Sequence, residues 1–180
     1  MRAHRLLLVG CIIHCAVAAD LKPPRIHNFG QVNNHVYRGS APSTVALQQL
    51  AAMHVTTVID LRPPGRITEV EKQKVEALGM KYVNIPLRPF SAPSKEDVDR
   101  ALALLDANES ERVYVHCHEG RDRTGTVIAC YRIEHDHWDN QRALAEAKKY
   151  GIHFNEWGMQ RFIARFKPDL ARSEAASSAK

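Results

Sequence analysis

Cysteine is scarce in this sequence, with four in 180 residues. No C-x-x-C and no H-E-x-x-H occurs, the spacings by which neighbouring side chains reach one zinc ion. No internal repeat runs along the chain, which argues against a solenoid or propeller. Nor is there a long low-complexity stretch or a basic tail: 25 Lys and Arg against 20 Asp and Glu give a formal charge of +5. That bias suits anionic substrates, but it is too small and too dispersed to predict nucleic-acid binding. Beyond the first twenty residues no apolar run is long enough to span a bilayer. What remains is a chain of ordinary globular composition, sized for one domain with a real core.

The N-terminus stands apart. "MRAHR" is basic, "LLLVGCIIHCAVA" is apolar, and Ala16-Val17-Ala18 has the small-x-small form of a cleavage site. Residues 1–19 therefore read as a secretory signal peptide, too short and too polar in its sequel to be a span. The expectation is an exported protein, in a bacterial periplasm or secreted. "LVGC" offers an alternative, a lipoprotein box with Cys11 as the lipidated residue. Without Arg2 and Arg5 the formal charge falls to +3, and without Cys11 and Cys15 only Cys117 and Cys130 remain. A disulfide between those two is the first thought for an exported protein. Cys130, however, sits at an inward helix position and reads better as a small core residue.

Residues 20–35, rich in proline and asparagine, read as an extended lead-in, residues 36–167 as the domain, and residues 168–180 as a small polar tail. Within the domain strands and helices alternate. "VYRG" is a strand, and "APSTVALQQLAAM" is a helix capped by Ser43 or Thr44. The β-branched "VTTVIDL" is a buried strand, and "RITEVEKQKVEALG" is a helix closed by Gly79. "KYVNIPL" is a third strand, followed by a helix opened by Ser94 with Asp97 at capping-box spacing. "RVYVHC" is the fourth, and three helices follow. This order predicts an α/β fold: a mostly parallel sheet of four to five strands flanked by helices, with a helical C-terminal half.

In such sheets ligands gather at the carboxyl ends of strands. Cys117 falls there, before "HEGRDRTG" and a helix. Gly120 lets the backbone curl and Gly125 lets the helix pack closely. A loop curling into a helix N-terminus aims several N–H groups at one point, a seat for a tetrahedral oxyanion. The same field favours a thiolate at Cys117, the nucleophilic form. Arg123 supplies a planar fork for two phosphate oxygens, and the Thr124 hydroxyl can donate to the sulfur. A metal centre built from His116, Cys117, His118, His135 and His137 is disfavoured, because adjacent strand residues point to opposite faces.

His116, Cys117, Gly120, Arg123, Thr124 and Gly125 match H-C-x-x-G-x-x-R-T-G. The chain thus resembles the cysteine-dependent protein tyrosine phosphatase superfamily, and its small atypical dual-specificity members in particular. "VYRGSAPS", "TVIDLR" and "NIPL" resemble flanking segments of those proteins. The resemblance implies attack of Cys117 on phosphorus, a phosphocysteine, and its hydrolysis, without metal or cofactor. It implies a phosphate site made by His118, Glu119, Gly120, Arg121, Asp122 and Arg123, with His116 and Thr124 in support. The substrate it implies is a phosphotyrosine (or phosphoserine/threonine) protein, or else a phosphoinositide or inositol phosphate, which the basic His118 and Arg121 would suit.

One element of the family pattern is missing. Members carry an aspartate general acid in the loop after the strand that "KYVNIP" resembles, and "LRPFSAPS" has no carboxylate. Asp97 and Asp99 follow it, but helix capping explains them; Asp106 lies farther along. Asp122 is the leading candidate, since lipid-directed, myotubularin-like members place an aspartate immediately before the loop arginine. Its alternative is structural, as the ionised partner of a neighbouring Arg. Glu119 reads as a rim residue. Arg62 and Arg66 either border the site or are solvated. Two competing classes stand beside the phosphatase: a phosphate-binding module without turnover, and a rhodanese-like sulfur-transfer enzyme. An intact Cys117 argues against the first and Arg123 against the second.

Overall fold

The computed structural model describes residues 23–107 and 110–169. The expected signal peptide and nearly all of the expected tail lie outside them. Gly30–Gln31 forms a short strand β1, then β2 (Val36–Ser40), α1 (Thr44–Ala52), β3 (Val55–Asp60) and α2 (Arg66–Ala77). β4 (Lys81–Asn84), α3 (Lys95–Asp106) and β5 (Arg112–Cys117) follow, and α4 (Asp122–Glu134), α5 (Asn140–Lys149) and α6 (Trp157–Arg165) complete the order. The sheet runs β1-β2-β5-β3-β4, parallel throughout except for β1, which pairs antiparallel with β2. The lead-in is thus part of the sheet; a two-residue strand is too short to leave a periodic signal.

β5 is central, which is why "RVYVHC" is apolar almost without interruption: both faces are covered. Its odd residues Val113, Val115 and Cys117 enter the core under α3, α4, α5 and α6, together with Val98, Leu102, Ile128 and Ile163. Tyr114 enters the second core with Leu47, Leu50, Val58 and Val75, under α1 and α2. Cys117 and His116 therefore project to opposite faces, as period-two geometry demands.

α4 is buried almost all round, from Thr124 to Tyr131 and at Ile133 and Glu134, with other helices on several sides. It begins at Asp122, inside the "HEGRDRTG" stretch. Ser43 accepts the Ala46 N–H, Ser94 the Asp97 N–H and Asp139 the Arg142 N–H, capping α1, α3 and α5. α4 differs: among the described residues no side chain caps its N-terminus. The first-turn N–H groups of the most buried helix are left facing the end of the central strand.

Candidate active site

The loop from Cys117 to Arg121 is held from outside by its carbonyls. His118 O accepts the Ala41 N–H at 3.2 Å. Glu119 O accepts the Asn28 side-chain amide at 3.0 Å. Gly120 O accepts Arg38 Nη2 at 2.6 Å. In a trans peptide the N–H of the next residue points opposite to the carbonyl. Pinning these three carbonyls therefore turns the N–H groups of Glu119, Gly120 and Arg121 away from their anchors. Gly120 has φ +72, and a Cβ there would run into the carbonyl carbon of Gly39. Only glycine fits this curl.

Arg38 is the anchor that sequence reasoning missed. It lies inside a strand, is 1% exposed, and its guanidinium carbon sits 3.7 Å from the centre of the Tyr150 ring. Burial pushes its pKa down to about 10, against the pull of Tyr150, Glu146 and Cys117. Its Nε and Nη1 have no hydrogen-bond partner among the described residues. A buried cation beside the loop adds to the positive field of the α4 N-terminus.

On the other face, His116 is fully buried. Its Nδ1 lies 3.2 Å from Cys117 O, and its Nε2 lies 2.8 Å from Glu71 Oε1, though off the direction of a good hydrogen bond. Glu71 and Asp60 each receive Arg62 Nη2 at 2.7 Å. Tyr82 donates to Asp60 at 2.7 Å. Asp60, Glu71 and His116 converge closely enough to suggest a metal site, but Arg62 already answers both carboxylates. Burial alone would raise the Asp60 pKa; the hydrogen bond from Arg62, the His116 charge and Tyr82 overrule it and leave it lowered. Burial likewise works against the Arg62 cation, and its two carboxylates hold it more firmly charged. Arg62 is thus neither solvated nor in the phosphate cleft, but a brace behind the loop.

Cys117, His118, Glu119, Asp122 and Arg123 line one cleft of about 410 Å³, with Pro89, Phe90, His153, Asn155 and Glu156. Arg123 makes no ion pair there among the described residues. Arg121 is turned aside, 3.3 Å from Glu119 and 3.3 Å from His153 Nε2. Thr124 Oγ1 is buried and makes no hydrogen bond among the described residues, so the expected donation to Sγ is not formed. Asp122 has both oxygens engaged: Oδ1 accepts the His153 backbone N–H at 2.7 Å, and His153 Nδ1 lies 2.9 Å from Oδ2. The structural alternative for Asp122 thus has a partner, a histidine instead of an arginine. Asp97 belongs to Ser94 and Arg100, and Asp99 to Lys95; neither lines the cleft. A larger groove of about 520 Å³ lies along α6, but it holds neither Cys117 nor Arg123.

Cys117 and Cys130 form no disulfide among the described residues. Cys130 is fully buried in the core, and burial pushes its thiol pKa well up, so it is an inert packing residue. Near the end of α4, Asp136 accepts Arg132 at 2.6 Å and lies 2.8 Å from His135 Nδ1. That cluster is a partly buried ion-pair group at the helix end.

Residues 25–165 match the family model described as "DSP-PTPase phosphatase fused to NAD+ Kinase". The phosphatidylglycerophosphate phosphatase PTPMT2 of Arabidopsis thaliana is 33% identical over 110 residues, 59% of this chain and 48% of that protein. The chain spans about half the length of that relative. The dual specificity protein phosphatase TpbA of Pseudomonas aeruginosa (strain UCBPP-PA14) is 28% identical over 155 residues, 81% of this chain and 67% of that one. Among solved structures, the core catalytic domain of the PP-IP phosphatase SIW14 from S. cerevisiae in complex with citrate superposes with a TM-score of 0.75. At 21% identity over 88% of this chain and 95% of that chain, the likeness is one of fold.

The buried brace has a consequence for stability. Removing the Asp60 charge leaves Arg62 with half its compensation in the interior, a change that costs about 3–5 kcal/mol. Urea unfolding of Asp60→Asn is expected to show it. Because the folded-state pKa of Asp60 is lowered, its contribution is complete above the ordinary aspartate value of about 3.9 and is lost as pH falls through the folded value. Stability should therefore decline on acidification below about pH 4, and less steeply in Asp60→Asn than in the wild type.

Proposed function

Because the chain belongs to the dual-specificity-type family of cysteine-dependent protein tyrosine phosphatases, and is an enzyme of that type, we propose that it hydrolyses phosphomonoesters through a phosphocysteine on Cys117. The proposed main substrates are phosphotyrosine-bearing (or phosphoserine/threonine-bearing) proteins. The observation that carries the reading is the pairing of Cys117 with Arg123 in one cleft, at the end of the central strand and before an uncapped helix N-terminus.

In the proposed sequence, Sγ bonds to phosphorus as the ester oxygen departs. The N–H groups of Glu119, Gly120 and Arg121 and the Arg123 fork hold the three non-bridging oxygens through the transition state, where their charge is most spread. Water then displaces the sulfur. His116 and the brace behind it fix the strand end from which Sγ attacks. Phe90 favours an aromatic substrate: it lines the cleft, is 73% exposed and offers a ring face to a phenyl group.

A second reading, a phosphoinositide or inositol phosphate substrate, has its own observation. His118 lines both the cleft and a neighbouring hollow of about 500 Å³ that includes Arg66. A further phosphate group on the substrate could be met there. The similarity to the inositol diphosphatase DSP4 of Arabidopsis thaliana, 25% identical over 143 residues, supports this as an alternative. The export expected from residues 1–19 also remains our proposal; N-terminal sequencing of the mature protein should begin near residue 19 or 20, and an intact Met1 would contradict it.

Para-nitrophenyl phosphate turnover should fall about 10⁴-fold or more in Cys117→Ser and about 10²–10³-fold in Arg123→Ala. Activity surviving in Cys117→Ser would defeat the mechanism. Run on phosphotyrosine peptides and inositol polyphosphates, Arg66→Ala separates the two substrate readings. The protein reading expects unchanged peptide turnover as the larger activity. The inositol reading expects the polyphosphate activity to be the larger and to drop.

A further inference from the structure

The loop between β4 and α3 carries no carboxylate, yet a carboxylate stands against it from another part of the chain. Glu156, just before α6, is 2% exposed and lines the cleft with Cys117 and Arg123. Its Oε1 accepts the backbone N–H of Phe90 at 3.1 Å, and Phe90 holds an unusual φ of 59. The loop is packed hard on this end of α6: a Cβ on Gly158 would come within 2.6 Å of Ala92 N and 2.9 Å of Ser91 C. The Oε2 atom is buried and has no hydrogen-bond partner among the described residues. Nor does Glu156 make an ion pair among them.

A buried carboxyl kept only for structure has its oxygens satisfied or a cation beside it. Glu156 has one satisfied oxygen and one left over. An oxygen without a donor is where a proton can reside, and a proton donor needs that form. The other nearby carboxylates are engaged. Asp122 is taken up by His153, Asp97 by Ser94 and Arg100, Asp99 by Lys95, and Glu119 by Arg121.

We propose that Glu156 is the general acid of the reaction, supplying from α6 the proton that the β4–α3 loop cannot; the proposal rests on the phosphocysteine reading above. As Sγ bonds to phosphorus and the ester P–O bond breaks, the Oε2 proton passes to the departing oxygen. The alcohol leaves and Glu156 becomes a carboxylate. In the second step that carboxylate takes a proton from water as the water oxygen bonds to phosphorus and the S–P bond breaks. Phosphate departs, the thiolate returns, and Glu156 is again protonated.

Leaving groups test this, because a good one departs without a proton and a poor one does not. Glu156→Gln keeps an amide oxygen for the Phe90 N–H and loses the proton. Phenyl phosphate turnover is expected to fall about 10²–10³-fold, and para-nitrophenyl phosphate turnover by much less. Glu156→Asp retains a carboxyl and should recover much of the phenyl phosphate rate; it also serves if the Gln variant does not fold. Equal losses on both substrates, no loss, or an Asp variant as selective as Gln would overturn the assignment. So would a selective loss on the poor leaving group in Asp122→Asn with none in Glu156→Gln. Failure of the underlying reading looks different: Cys117→Ser would then keep the para-nitrophenyl phosphate activity.

Discussion

Three carbonyl groups hold this site in shape. The oxygens of His118, Glu119 and Gly120 are tied in turn to the Ala41 N–H, the Asn28 amide and the Arg38 guanidinium. Peptide planarity converts that outward anchoring into N–H groups facing the other way, beside the uncapped start of α4. The anion site is thus made mostly of backbone, and the side chains that matter most to its shape are those that hold the backbone from behind. The anchors come from the segment before the sheet, from within β2 and from the residue just past it, which explains why the lead-in is built into the fold.

The central strand separates the two jobs around the thiol. Cys117 faces the cleft and the helical core, while His116, one residue earlier, faces the ion-pair brace of Asp60, Arg62 and Glu71. Neighbouring residues on a strand cannot serve one metal, but they can serve one mechanism, with one reacting and the other fixing the strand end. Charge follows the same division. The carboxylates behind the loop are answered by Arg62, whereas Arg38 lies buried beside the loop with two of its nitrogens unpartnered among the described residues. Positive potential is left on the side where a phosphoryl dianion would bind.

What could be read from the chain alone follows how far each interaction reaches along it. The loop from Cys117 to Gly125 is contiguous, so its residue types and spacing displayed its chemistry, and the alternating strand and helix patterns gave the sheet. Interactions that close over long separations left little trace. Asn28 meets Glu119 across 91 residues, Arg38 meets Gly120 across 82, and Asp122 meets His153 across 31. Two faint signals were there. Arg38 is the one charged residue in its strand, "VYRGS". Glu156 shares the face of Met159 and Ile163, both fully buried, and a charged residue in phase with a core stripe calls for a reason.

The chemistry stands or falls on whether a covalent bond forms at Cys117. Rapid acid quench of the enzyme during turnover of an aryl phosphate, followed by mass spectrometry of the digested protein, addresses this directly. The account predicts a phosphoryl adduct on the peptide containing Cys117, growing with substrate and absent from Cys117→Ser. Steady turnover with an unmodified Cys117 at every quench time, or an adduct on a different residue, would contradict it.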